Sequence, residues 1–234
     1  MQKWQVLSSI DDVYTNSIID THLGFKTHKM NEPDHRPYKK PLFQRMDQTQ
    51  KQFYESSLLS TSRIMYSRCD YLKTTSTQYT PVMVVAKNYI PMNTVLYELS
   101  GRYFPMVENN IIKGNFHCLY YVNFCLTICF FFNFIGVNDF SIINSSKKNN
   151  TPHLLLGPIA YVNHSCTHNT EWYIVDKSTL ALKTTKAIEK SHEITACYSI
   201  NYFDDNNVNC MCSSCAEVTY AVKYCKFFST MLCN

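Results

Sequence analysis

The stretch YVNHSCTHN, Tyr161–Asn169, decides how the rest of this chain is read. Taken alone, Asn163 and His164 would be a turn and a satisfied histidine. Two segments further along the chain change that reading. After an intervening strand pair comes IEKSHEITACY (Ile188–Tyr198), and then NCMCSSC (Asn209–Cys215), which sets Cys210, Cys212 and Cys215 in a C-x-C-x2-C array. Three thiolates this close can wrap one tetrahedral Zn²⁺, and a structural site takes four ligands, so the fourth comes from a distance: Cys166, Cys197 or Cys225. The alternative is a chance cluster of free buried thiols, and the tight spacing favours zinc. Closure on a metal would tie the C-terminal segment onto the domain.

Outward from this core the pattern is that of many short strands. Val82–Val85 is a β-branched run, the turn NYIPMN (Asn88–Asn93) comes next, and TVLYEL (Thr94–Leu99) runs on to Gly101, which reads as two strands around a turn. Residues 159–162 (IAYV), 172–175 (WYIV), 179–184 (TLALKT) and 193–198 (EITACY) are strand-like as well. Residues 1–80 are polar and broken, with THKMNEPDHRP (Thr27–Pro37) an irregular surface segment. The spacing of Phe43, Met46, Phe53, Leu58, Leu59 and Met65 predicts one or two helices within Leu42–Arg68.

Composition bounds the class. A length of 234 residues with 45% hydrophobic side chains fills one sizeable core or two small ones, which excludes a fibre or a wholly disordered tail. A net charge of +4 is too small and too scattered to define a nucleic-acid-binding face. Eleven cysteines, with an opening that lacks a basic segment leading into an apolar one, predict a reducing compartment and thiols or a metal rather than disulfides. Gly114–Val137 contains no Lys, Arg, Asp or Glu, and Cys118–Ile135 is an apolar run of spanning length. Its Phe, Tyr, Cys and Asn content is unusual for a membrane span, which leaves a span, a buried hairpin or translated AT-rich non-coding sequence as readings.

The order Asn-His-Ser-Cys, then Glu-Ile-x-x-x-Tyr, then C-x-C-x2-C resembles the SET-domain protein lysine methyltransferases. Further stretches are similar to the suppressor-of-variegation 4-20 class, which methylates lysine 20 of histone H4: DTHLGFKTHKMN (Asp20–Asn31), NDFSI (Asn138–Ile142), LLGPIAYVNH (Leu155–His164) and YFDDNN (Tyr202–Asn207). The resemblance implies a mainly β fold, the SET-domain β-clip with its pseudoknot, carrying a small helical N-terminal region and a zinc-binding post-SET segment. It divides the chain into an N-terminal helical region (1–80), the SET domain (81–205) with an apolar insert at 115–136, the post-SET zinc segment (206–217) and a tail (218–234). Deleting 115–136 restores the class pattern, so the insert is expected to be an intron read through or a recent insertion, with a membrane span third.

The resemblance also assigns roles. S-adenosylmethionine would be held by Asn163 and His164, with Met30, Val82, Met83, Ser141, Tyr198 and Cys212 around it. Tyr198 would be the catalytic tyrosine, its hydroxyl at the point of methyl transfer. Ser141, Tyr202 and Phe203 would line the lysine channel, and Cys166 would join Cys210, Cys212 and Cys215 on Zn²⁺. The implied function is methyl transfer to a histone lysine, most specifically lysine 20 of histone H4, with the histone H4 tail and nucleosome as partners, a nuclear location on chromatin and no membrane. Alternatives are a catalytically dead SET-like zinc protein that binds chromatin and a single-span membrane-anchored protein. The chain departs from the family at His168, where a proline is usual, at Ser191 and Ser199, where glycines are usual, and at Thr80–Val82, where the class begins its cofactor strand Gly-Ala-Lys. If those glycines adopt positive φ, the serines carry local strain.

Overall fold

A computed structural model of the protein describes residues 10–27, 40–71, 80–105, 142–144, 152–198, 202–203 and 207–216. Met30, Ser141, Ser199, Cys225, the apolar insert and the C-terminal tail lie outside these residues. Helix α1 spans Lys40–Ser57, and among the described residues seven strands come after it: β1 Ile64–Arg68, β2 Val82–Ala86, β3 Val95–Pro105, β4 Ile142–Asn144, β5 Pro152–Leu156, β6 Thr170–Ile174 and β7 Thr179–Thr184. β1 and β2 pair antiparallel with Tyr66 opposite Val84. The other five form an antiparallel sheet in the order β4-β5-β3-β7-β6.

Strand β7 lies inside this sheet, and its sequence says why: Leu180, Ala181 and Leu182 are all buried, so both faces of the strand are covered. The ladder between β3 and β7 slips between Leu96 and Gly101, and the bulged segment carries Glu98. Its carboxylate takes the Arg63 guanidinium in two bonds, Nε to Oε1 and Nη2 to Oε2, both 2.8 Å, fastening the start of β1 to β3. Gly101 has no alternative here. A Cβ would lie 2.2 Å from Ile159 Cγ2 and 2.4 Å from the Leu156 carbonyl oxygen, so β3 can approach β5 and the turn beyond it only without a side chain.

The N-terminal region is helical from residue 10, with a π-helical stretch at Thr15–Asp20 and an α-helical turn at Thr21–Leu23. It docks through buried hydroxyls. Thr15 Oγ1 lies 3.2 Å from both Tyr54 Oη and Tyr161 Oη, and Asp20 Oδ1 accepts from Thr27 N (2.9 Å) and Thr27 Oγ1 (2.6 Å). Ile10, Ile19 and Tyr54 thereby join one core with Val84, Leu99, Leu156, Ile159 and Leu182.

Several expectations need correction. The helix expected within Leu42–Arg68 ends at Ser57, and Ile64–Arg68 is a strand, because Ile64 and Tyr66 alternate inward and pair with β2. The runs at Val82 and Thr94 are both strands, but they pair with other strands and not with each other. Of residues 159–162 only Val162 is extended: Pro158–Tyr161 is a 3₁₀ turn, started by Gly157 at φ 107° and by proline at its first position. Residues 193–198 form single bridges rather than a strand, since they cross another segment instead of running along one. The expected mainly β architecture itself is observed, as are strands at 172–174 and 179–184.

Candidate functional site

The site forms where residues 193–198 cross the loop 163–170. Ala196 N donates to Asn163 O (3.1 Å) and Ser165 N to Ala196 O (3.1 Å), which makes a parallel bridge between His164 and Ala196. In such a bridge the flanking residues make the bonds, so the N–H and C=O of His164 point to the opposite side. Asn169 pins the crossing from the other end: its Nδ2 donates to Glu193 O (2.8 Å) and its Oδ1 accepts from Thr195 N (2.9 Å). Trp172 Nε1 donates to Cys197 O at 2.8 Å. Two segments distant in sequence, 163–172 and 193–198, are thus joined by backbone and side-chain hydrogen bonds rather than by a continuous sheet.

An aromatic wall stands on this crossing. The rings of His164, Tyr198, Tyr202 and Phe203 pack with centroids 4.8–6.3 Å apart. Tyr198 Oη donates to Val162 O at 2.6 Å, and Tyr198 N donates to His164 Nδ1 at 3.2 Å. Burial, with smaller contributions from Tyr202 and Glu193, pushes the Tyr198 phenol well above its ordinary range, so it remains an O–H donor with its lone pairs still able to accept. Burial pushes Tyr202 up to about 12. His164 is 5% exposed, and burial first, then His168, brings it down to about 4, so it is neutral.

Asn163 faces the other way, toward β2. Its Nδ2 donates to Glu193 Oε1 at 2.9 Å and to Val82 O at 3.3 Å, and Tyr71 Oη donates to both oxygens of the same carboxylate at 2.8 and 2.9 Å. Glu193 and Tyr71 were not expected at the site. Glu193 stands in a recognised stretch, the strand-like EITACY, with no role assigned to its side chain, and Tyr71 belongs to no motif. Of the expected cofactor contacts, Val82, Asn163, His164 and Tyr198 come together, and Met83 stands next to Val82 in β2 opposite Ser67.

The sulfurs of Cys166, Cys210, Cys212 and Cys215 all lie within 4.8 Å of one another. Cys166 Sγ is 3.9 Å from Cys210 Sγ and 3.6 Å from Cys215 Sγ. A tetrahedron with Zn–S arms of about 2.3 Å has edges of about 3.8 Å, so this donor set fits zinc. Cys197 is not in the cluster. Burial would raise the Cys212 thiol, but hydrogen bonds from the Cys166 backbone, the Ser214 hydroxyl and the Cys215 backbone outweigh it and bring it down to about 6, while burial raises Cys210. Cys212 was also expected beside the cofactor; its sulfur is in the metal cluster. Ser191, at one of the positions where the family has glycine, sits at φ 67°, so the condition for local strain is met there.

A family model described as the SET domain matches residues 82–199, half of the chain. Histone-lysine N-methyltransferase set9 of Emericella nidulans is 25% identical over 72% of this chain and 24% of its own length. SET9 of Yarrowia lipolytica is 39% identical over 34% of this chain and 9% of its own, and set9 of Schizosaccharomyces pombe is 40% identical over 36% and 19%. The chain therefore spans at most about a quarter of the length of these relatives. A solved Plasmodium falciparum structure, named for histone methylation, covers 62% of this chain and 99% of its own at 15% identity, with a TM-score of 0.35, a superposition too loose to add to the sequence match.

Proposed function

The chain belongs to the SET-domain family, and from that premise we propose that it transfers methyl groups from S-adenosylmethionine to the side-chain amine of a histone lysine, with lysine 20 of histone H4 as the target. The observation that carries the reading is the Tyr198 phenol, hydrogen-bonded to Val162 O at 2.6 Å and walled by His164, Tyr202 and Phe203 beside the Asn163–His164 segment. S-adenosylmethionine, when bound, supplies an already activated methyl group, so the protein's task is alignment. Asn163, the outward N–H and C=O of His164, and β2 at Val82–Met83 are the groups that would hold it. A half-buried carboxylate, Glu193, next to Asn163 suits a ligand with cationic groups.

Each residue then has a definable task. The aromatic wall disfavours an ammonium and so lowers the pKa of a lysine that enters it, releasing the neutral amine that attacks. Tyr198, whose proton is committed to Val162 O, offers its lone pairs to orient that amine. Met30 and Ser141 would complete the cofactor pocket and the lysine channel. The four thiols would hold Zn²⁺ and so fix Tyr202 and Phe203, which precede Cys210, Cys212 and Cys215, over Tyr198. The choice of histone H4 lysine 20, of the nucleosome as partner and of chromatin as location rests on the resemblance to the suppressor-of-variegation 4-20 class and on relatives named for histone-lysine methylation.

Purified protein, labelled S-adenosylmethionine and reconstituted nucleosomes test this. Label is expected on histone H4, lost with H4 lysine 20→Ala nucleosomes and lost with Tyr198→Phe. Label on another lysine would overturn the target, and label retained by Tyr198→Phe would overturn the assigned chemistry. The rival reading, a catalytically inactive zinc protein on chromatin, is favoured by Thr80 and Pro81 where the class has Gly-Ala-Lys, and it predicts no heat of binding with S-adenosylmethionine. Among the described residues no helix is long and apolar enough to cross a membrane, and Cys118–Ile135 lies outside them.

A further inference from the structure

Glu193 is a half-buried carboxylate without an ion-pair partner among the described residues. It is held from two sides, by Tyr71 Oη on both of its oxygens and by Asn163 Nδ2 on Oε1. The second amide hydrogen of Asn163 is within reach of Val82 O at 3.3 Å. A carboxylate and a carbonyl can only accept, so the Asn163 amide has one permitted orientation, with nitrogen toward Glu193 and Val82 and Oδ1 away from both. Flipping it would set oxygen against two acceptors and forfeit a charge-assisted bond.

We propose that Glu193 and Tyr71 are positioning residues that lock the Asn163 carboxamide so that Oδ1 is offered, as a hydrogen-bond acceptor, to the cationic amino-acid end of S-adenosylmethionine. The inference rests on the methyltransferase reading. An unlocked Asn163 would present a donor as readily as an acceptor, and a donor repels an ammonium. Tyr71 acts through Glu193 and, at 3.5 Å from Asn163 Nδ2, on the amide itself; it supplies a neutral donor that keeps the carboxylate in place without cancelling its charge. Among the described residues the titratable groups around Glu193 are Tyr71, on its carboxylate, and Tyr198 from the crossing segment, with Cys69 next to them on Asn163 Nδ2 at 3.8 Å and beside Tyr71. Burial raises the Glu193 carboxyl, and the Asn163 and Tyr71 hydrogen bonds oppose it. Removing the Tyr71 hydroxyl therefore moves protonation of Glu193, and the acid-side loss of cofactor affinity, to higher pH.

Isothermal titration tests this with three ligands: S-adenosylmethionine, S-adenosylhomocysteine and 5′-methylthioadenosine, which lacks the amino-acid end. For Tyr71→Phe and Glu193→Ala, checked for folding by thermal unfolding, affinity for the first two is expected to fall about tenfold or more, the cost of losing a hydrogen bond to a charged group. Affinity for 5′-methylthioadenosine should stay within about twofold, since a tenfold change is what 1.4 kcal/mol produces and no such bond is lost. The acid limb of the S-adenosylmethionine affinity should move upward in Tyr71→Phe. Equal losses for all three ligands, or no loss, overturn the proposal; if Glu193→Ala does not fold, Tyr71→Phe alone decides. A wild-type chain that binds no S-adenosylmethionine sinks the methyltransferase reading and this inference together, whereas wild-type binding with unaffected variants sinks the inference alone.

Discussion

Cys166→Ser is the sharpest single test of how the C-terminal segment is held. Cys166 comes from the 163–170 loop, whereas Cys210, Cys212 and Cys215 come from one short segment. Its sulfur lies 3.9 and 3.6 Å from Cys210 and Cys215, against a tetrahedral edge of about 3.8 Å for zinc thiolate arms of about 2.3 Å. A structural zinc binds with an apparent free energy of about 10–16 kcal/mol, roughly 3–4 kcal/mol per ligand, so the loss of one thiolate should weaken zinc by about 10²–10³-fold. A serine hydroxyl does not replace it, because it stays protonated and is a poorer match to this metal. Among the described residues, the contacts that stay across the junction include the Cys166 backbone N–H on the Cys212 sulfur and Thr167 Oγ1 to Ser214 Oγ at 3.3 Å, an exposed contact of little strength. The assay is zinc content after dialysis against a chelator, with hydrogen exchange read by segment. Residues 202–216 should lose protection while the β3–β7 ladder keeps it, and methyl transfer should fall because Tyr202 and Phe203 leave Tyr198. Cys197→Ser, outside the cluster, should keep its zinc. One tightly held zinc in Cys166→Ser, with unchanged protection at 202–216, would refute the four-thiol site.

Three other substitutions probe the strain and the buried charges of the fold. Ser191 sits at φ 67°, so Ser191→Gly should stabilise the chain by about 0.5–1 kcal/mol in urea unfolding, the left-handed penalty of about 1–2 kcal/mol being partly offset by the greater unfolded-state freedom of glycine; destabilisation would contradict the strain. Burial works to raise the Glu98 carboxyl, but Arg63 outweighs it and holds it low, so the pair stabilises above the ordinary carboxylate range and the stability is lost as pH falls through the depressed value. Arg63→Met should cost about 1–3 kcal/mol near neutral pH, less than a fully buried pair because Arg63 is 37% exposed, and should abolish that acid dependence. Asp11 is fully buried, and burial raises its carboxyl to about 8 despite bonds from Tyr54 and Gln50. A folded value above the unfolded one means stability is full below about 4 and declines as pH rises toward 8. Asp11→Asn should therefore gain on the wild type as pH is raised from 5 to 8, and a difference that does not vary with pH would refute the assignment.

What could be read without coordinates was whatever chemistry is local. Three thiols in C-x-C-x2-C point to a metal site by spacing alone, β7 declares itself by an apolar run too short for a helix, and the Asn-His-Ser-Cys stretch with the later Glu-Ile and Tyr198 marks the family. Strand partners were not legible, since β1 and β2 are joined across many residues and the alternation in Ile64–Arg68 is shared with the end of a helical pattern. Nor was the 3₁₀ turn at Pro158–Tyr161, where proline and Gly157 overrule β-branched residues. Choosing Cys166 over Cys197 required the loop's position, because the two cysteines have identical ligand chemistry. The orientation of Asn163 was beyond any pattern. An amide has a donor end and an acceptor end, and which end faces inward depends on Val82 O, Glu193 and Tyr71, groups 81, 30 and 92 residues away that only the tertiary fold brings within hydrogen-bond distance.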